Sequence, residues 1–157
     1  MWQCRIRRPS GGKEINRPTT NYRKRETAMM DTITIEESAK TPYILMYPEK
    51  GVIEIKGRSI PENSVEFYRP LITWLSEYAQ EDMRPTKVKF QLEYFNTSSS
   101  KCILDIFKHL ETMYRKGWDI SISWYYDEDD EDMYESGEDY QSILSCPISL
   151  EKISGGI

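Results

Sequence analysis

Four consecutive hydroxyl-bearing residues, Thr97-Ser98-Ser99-Ser100, flanked by Phe95-Asn96 and Lys101, form the segment of this chain with the clearest capacity for chemistry. They lie between an alternating run and a helical stripe, so they sit at a helix N-terminus, where Ser and Thr satisfy the unbonded amides of the first turn. One hydroxyl would suffice for a cap, and no Glu or Gln stands three residues after any of the four, so a capping box does not account for the run. A second reading is a phosphate site. A helix N-terminus supplies amide donors and the positive end of a dipole, and Lys101 adds a cation. Phosphorylation there adds about −1.5 to −2 charges, enough to recast a protein–protein surface without refolding the domain. A free-phosphate or nucleotide site fits less well, because the segment has no Gly to bring a backbone close to a pyrophosphate. On pattern alone, plain cap and regulatory phosphosite both stay open.

Other chemistries find less support. His109 is the only histidine, which excludes sites built from two or three imidazoles, the usual zinc hydrolases among them. A nucleophile pairing of His109 with Ser98, Ser99 or Ser100 fails on distance: in a helix starting near Ser100 the two are about 13 Å apart at 1.5 Å per residue. Cys4, Cys102 and Cys146 are far apart and show no zinc or dithiol spacing. Residues 127–139 hold nine carboxylates in thirteen positions, and Asp127-x-Asp129-x-Glu131 imitates the start of a calcium loop. The sixth position is Asp132 where the sharp turn requires Gly, so no metal is expected there, and a solvated surface that docks a basic partner fits better. No cofactor is expected.

The elements that must position the hydroxyl run are legible from periodicity. Tyr43–Tyr47 and Val52–Lys56 are β-rich runs separated by Pro48-Glu49-Lys50-Gly51, a hairpin. From Val65 to about Gln80 the apolar residues Tyr68, Leu71, Ile72, Leu75 and Tyr78 recur at helical steps behind the possible N-caps Asn63 and Ser64; Pro70 must lie near the first turn or bend the helix. Lys87–Tyr94 alternates strictly, with Val88, Phe90, Leu92 and Tyr94 on one face. Cys102, Ile103, Ile106, Phe107, Leu110, Met113 and Tyr114 then trace a second helical stripe stopped by Gly117, and residues 118–126 alternate again. Two helices burying their stripes against one face of a sheet, joined by a right-handed parallel connection, satisfy this pattern. The expected order is β-β-α-β-α-β, beginning near Tyr43, with a short helix around 132–144 and an end strand near 148–150.

Charge divides the chain. It has 157 residues, 21 basic and 26 acidic, for a net charge of −5; residues 1–30 carry eight of the basic side chains and two of the acidic, leaving −11 for the remainder. With Pro9, Gly11, Gly12 and Pro18 and no periodicity, residues 1–30 are expected to be a disordered basic extension, either a solvated tail or codons upstream of a start at Met29 or Met30; an arm for nucleic acid is the alternative. The acidic remainder, residues 31–157, repels phosphate backbones, so no nucleic-acid partner is expected. With 38% hydrophobic residues and a mean hydropathy of −0.68, no stretch approaches the roughly 18 apolar residues that crossing a bilayer needs. The expected compartment is the cytoplasm, without membrane insertion.

Two segments resemble a known family. Gly57-Arg58-Ser59-Ile60-Pro61-Glu62-Asn63-Ser64-Val65-Glu66-Phe67-Tyr68-Arg69-Pro70-Leu71 with Trp74-Leu75, and Tyr94-Phe95-Asn96-Thr97-Ser98-Ser99-Ser100-Lys101, closely resemble the SiaC family of bacterial regulatory phosphoproteins, over roughly Thr41 to Tyr126. The resemblance implies an α/β, STAS-like single domain, similar to anti-anti-sigma proteins, with a mixed β-sheet packed by helices mainly on one face. It implies a non-enzymatic partner switch in which a cognate Ser/Thr protein kinase phosphorylates the residue matching Thr97 and a PPM-type phosphatase reverses the change. The unphosphorylated form binds and activates an effector enzyme, a diguanylate cyclase, through the surface around Asn96, Ser98, Ser99, Ser100 and Lys101. The alternative is an anti-anti-sigma-type antagonist of a kinase or anti-sigma factor without cyclic-di-GMP output. Nothing in the resemblance bears on residues before Met30 or on the acidic stretch.

Overall fold

The structure, a computed structural model, describes residues 30–154, and the expectation of a disordered extension over residues 1–30 falls, but for Met30, on residues outside that range. The described chain forms six strands and three helices: β1 (Ile33–Ile35), β2 (Tyr43–Tyr47), β3 (Val52–Ser59), α1 (Ser64–Tyr78), β4 (Thr86–Phe95), α2 (Thr97–Arg115), β5 (Ile120–Asp127), α3 (Glu131–Ile143) and β6 (Ile148–Ile153). The strands make one sheet in the order of the chain. β1, β2 and β3 pair antiparallel, whereas β3, β4, β5 and β6 pair parallel, each parallel step bridged by a helix.

The alternation in the sequence becomes two unlike sheet faces. Register aligns Ile53, Val88, Ile122 and Ile148 in one buried row and Ile44, Ile55, Phe90 and Trp124 in the next. Glu54, Lys89, Ser123 and Ser149 form a row on the opposite face. The helices lie on the buried side: Tyr78 of α1 stacks on Trp74 and bonds Thr86 at 2.9 Å, while Phe107 of α2 and Tyr140 of α3 both pack on Trp124. This is the mixed sheet with one covered face that the sequence implied. None of the described helices is long and apolar enough to cross a membrane.

Local chemistry explains the boundaries. Asn63 caps α1 by accepting from the Glu66 amide at 3.1 Å. α2 ends as its glycine predicted: Gly117 takes φ +109, its N–H reaches Tyr114 O at 3.0 Å, and the Trp118 N–H reaches Met113 O at 3.1 Å, the paired bonds of a Schellman stop.

Three expectations change. The sheet begins at β1, ten residues before Tyr43, because Ile33-Thr34-Ile35 is too short to register as a period yet pairs fully with Ile44–Met46. Pro70 is the seventh residue of α1, one turn further in than expected; it and Glu66 are both exposed, so the carbonyl that the proline leaves unbonded can be hydrated. The end strand runs three residues longer than expected, to Ile153.

Two contacts fix α3 and the loop after it. Gly137 is buried, and a Cβ there would stand 2.6 Å from Trp124 Cδ1 and 2.8 Å from Leu150 Cδ2, so α3 seats directly on the sheet only because position 137 has no side chain. Glu111 of α2 accepts from the amide of Ser145 and, at 2.8 Å, from its hydroxyl, which holds the Glu111 carboxyl below the usual carboxylate range.

Two outcomes follow from these contacts. Gly137→Ala gains about 1 kcal/mol of helix propensity but overpacks a rigid indole at a cost of about 1–3 kcal/mol, so a net loss is expected in denaturant unfolding; a more stable variant would contradict the close seating. For Glu111, a depressed folded pKa means that its contribution is present above the ordinary carboxylate range and fades as pH falls through the folded value. Glu111→Gln should therefore be less stable than the unaltered chain at pH 7, with the gap closing toward pH 3 in parallel denaturation curves.

Candidate functional site

Because β3 and β4 are parallel, Ser59 pairs with Phe95, and the helices that follow the two strands start side by side. The Asn96 N–H donates to Ser59 O at 3.0 Å. Asn96 then leaves the strand in an extended conformation (φ −85°, ψ 174°), and its Oδ1 accepts from the Ser99 amide at 2.8 Å, so Asn96 is the N-cap of α2. The sequence reading gave the cap to a hydroxyl. Asparagine performs it instead, and all four hydroxyls fall in the first helical turn, with Thr97 as the first residue of α2.

The serines of that turn join the two helices. Ser99 is fully buried; its hydroxyl donates to Ser59 O at 3.0 Å and accepts from Ser59 Oγ at 2.8 Å, with Ser64 Oγ at 3.3 Å. Ser59 is in turn bonded at 2.6 Å to the Tyr68 hydroxyl, whose pKa burial pushes up to about 12, so Tyr68 remains a neutral donor. Ser98 donates to Asn96 Oδ1 at 3.1 Å and lies 2.7 Å from Ser64 Oγ at the start of α1. Ser100 donates to Thr97 O at 2.6 Å. From the other side, Tyr140 of α3 donates to Ser100 O at 2.9 Å, and its burial, which raises its pKa, keeps that proton in place.

Thr97 differs from its three neighbours. It is exposed, and its hydroxyl has no hydrogen-bond partner among the described residues. Lys101, one turn further on, is also exposed and forms no ion pair among them. The first turn of α2 contains no acidic residue, so the positive end of its dipole at Thr97 is not offset by a carboxylate of its own turn, whereas the neighbouring start of α1 carries the exposed Glu66. Phe95, Leu104 and Ile143 help frame a shallow groove of about 270 Å³ between α2 and α3 that also reaches Ser100 and Lys101.

Of the residues expected to line a contact surface, Ser98 and Lys101 are exposed, and Asn96 and Ser100 are half-buried. Ser99 is the exception: with no accessible surface and its hydroxyl fully engaged, it ties β3 to α2 and offers nothing to touch. Ser59, Ser64 and Tyr68 belong to the site although their types and spacing did not mark them. Ser59 and Ser64 precede Ser98 and Ser99 by more than thirty residues, and only the parallel pairing of β3 with β4 brings them together.

Elsewhere, His109 sits about 18 Å along α2 from Thr97, with Nδ1 3.0 Å from Asp105 O. Among the described residues no group of three or more His, Cys, Asp or Glu side chains is placed to hold a metal ion. The acidic stretch has a structural use: Asp130 caps α3 by accepting from the Met133 amide at 3.0 Å, and Glu131 and Asp132 occupy its first turn, where negative charge favours the helix.

Comparison with known proteins agrees with this geometry. A family described as SiaC family regulatory phosphoprotein matches residues 35–153. An uncharacterised protein of Pseudomonas aeruginosa (strain UCBPP-PA14) is 31% identical over 122 residues, covering 78% of this chain and 97% of that protein. The structure of SiaC of Pseudomonas aeruginosa superposes with a TM-score of 0.74 at 29% identity, over 79% of this chain and 100% of that one. A chain from the crystal structure of the diguanylate cyclase SiaD in complex with its activator SiaC, also from Pseudomonas aeruginosa, superposes with the same score at 30% identity, over 77% and 99% of the two chains. Strands β2 to β6, the paired helix starts and the hydroxyl turn all lie within the matched residues, and the chain belongs to the SiaC family of regulatory phosphoproteins.

Proposed function

We propose that the chain is a non-enzymatic partner switch whose state is set at Thr97. A serine/threonine kinase phosphorylates Thr97, a PPM-type phosphatase restores the hydroxyl, and the unphosphorylated form binds and activates a diguanylate cyclase. The observation that carries this reading is the distribution of hydrogen bonds in the first turn of α2, where Thr97 is exposed and uncommitted while Ser98, Ser99 and Ser100 are engaged. The effector class is supported by the related SiaC, which is the activator of the diguanylate cyclase SiaD in the complex of similar structure.

The switch has a simple electrostatic basis. A phosphate on Thr97 is held locally by the dipole ends of α1 and α2 and by Lys101, so the domain need not refold to accept it. A partner surface shaped for a neutral hydroxyl must then desolvate a dianion. An unpaired buried charge costs about 3–5 kcal/mol, and a micromolar complex rests on only about 8 kcal/mol. Loss of a substantial part of the affinity is therefore built into the position of the residue.

Thr97→Ala is expected to bind and activate the cyclase whether or not the kinase is present. Phosphorylated chain should bind at least a hundredfold more weakly in a calorimetric titration, and Thr97→Glu should fall between the two because a carboxylate carries less charge. Equal affinity of the cyclase for phosphorylated and unphosphorylated chain would refute the switch.

A further inference from the structure

A run of four hydroxyls offers a kinase four acceptors, yet the hydrogen bonds of this turn leave one usable. We propose that Asn96 and Ser64 determine the specificity of the modification by sequestering the hydroxyl of Ser98, so that the phosphoryl group goes to Thr97 alone. The inference rests on Thr97 being the phosphorylated residue and deepens that reading.

The transfer forms a bond between the acceptor oxygen and the γ-phosphorus of a nucleoside triphosphate. It breaks the bond from that phosphorus to the β–γ bridging oxygen, and the nucleoside diphosphate departs with the electron pair. The hydroxyl proton passes to a base on the kinase. An acceptor must therefore present a lone pair to phosphorus and a proton to the base in the same geometry. Thr97 can do both, being exposed, with a hydroxyl that has no hydrogen-bond partner among the described residues.

The three serines are withheld in three ways. Ser99 is fully buried. The Ser100 proton is committed to Thr97 O at 2.6 Å. Ser98 is the instructive case, because it is exposed and adjacent to Thr97, so access does not separate the two. What separates them is bonding: the Ser98 proton points to Asn96 Oδ1 at 3.1 Å, which leaves Ser64, 2.7 Å away, to donate to the Ser98 lone pair. The proton and one of the two lone pairs of Ser98 are thus held by neighbours that do not react themselves, so its attack on phosphorus must first break those bonds. Asn96 and Ser64 are positioning residues.

The test isolates the full chain from the cells that produce it and maps phosphate across residues 96–101 by tandem mass spectrometry. The unaltered chain should carry phosphate on Thr97 only, and Thr97→Val, with the network intact, should carry none. Asn96→Gly combined with Ser64→Ala removes both restraints, and glycine is tolerated at an N-cap. In that variant Thr97 should still be modified, showing that recognition persists. The ratio of Ser98 to Thr97 phosphate should rise roughly tenfold or more, the scale of two side-chain hydrogen bonds. Adding Thr97→Val should leave Ser98 as the acceptor, and Asn96→Asp with Ser64→Ala, which keeps the acceptor atom at position 96 and so one of the two restraints, should raise Ser98 phosphate less than the glycine variant does. Phosphate on Ser98 in the Thr97→Val chain, or its absence from the opened variants, would overturn the proposal. So would phosphate spreading to Ser99, since that would mean an unravelled turn. Phosphate missing from every form would instead remove the Thr97 reading itself, and the specificity with it.

Discussion

The parallel pairing of β3 with β4 is the constraint on which the site depends. Parallel strands end at the same edge of the sheet, so the helices that follow them begin together, and Ser59 at the end of β3 comes within bonding distance of Ser99 in the first turn of α2. An antiparallel pair would send the two helix starts to opposite ends. Once together, the buried hydroxyls of Ser59, Ser64, Tyr68 and Ser99 must satisfy one another, since a buried polar group left without a partner costs about 1–3 kcal/mol. Helix starts that are locked to each other form a stiff platform, and a charge change on its surface is presented to a partner in a fixed place.

Much of this was legible before the fold. The alternation of Lys87–Tyr94 and the stripe from Cys102 to Tyr114 are strong periodic signals, and they correctly put the Thr97–Ser100 run at a helix N-terminus that follows a strand. What periodicity lacked was the bonding. Which of four adjacent hydroxyls is free depends on Ser59 and Ser64, whose relation to Ser98 and Ser99 is tertiary. β1 was missed because three residues carry no countable period. The acidic stretch was legible as charge, and the short helix expected around 132–144 is α3, but a dense run of carboxylates masks Asp130 as the one that caps it.

α3 connects these parts. Its first turn gathers the negative charge, Gly137 lets it lie against Trp124, and Tyr140 donates to the backbone of the turn that holds Thr97. The buried tyrosine therefore touches the platform from the side opposite to Ser59 and Ser64, and α1, α2 and α3 all contribute to holding one turn of helix.

The order of strands in the sheet, identical to their order in the chain, has a consequence for how the molecule assembles. Every strand pairs with the strand that precedes it in sequence, so no pairing waits on a segment made much later, and loop closure never spans more than one helix. The antiparallel pairs of β1, β2 and β3 close locally, whereas each parallel pair waits for one helix to be made and is the slower step. During synthesis the growing sheet can accept each unit as it emerges, and the bonds among Ser59, Ser64 and Ser99 can close once α2 is out, before β5, α3 and β6 exist to be added.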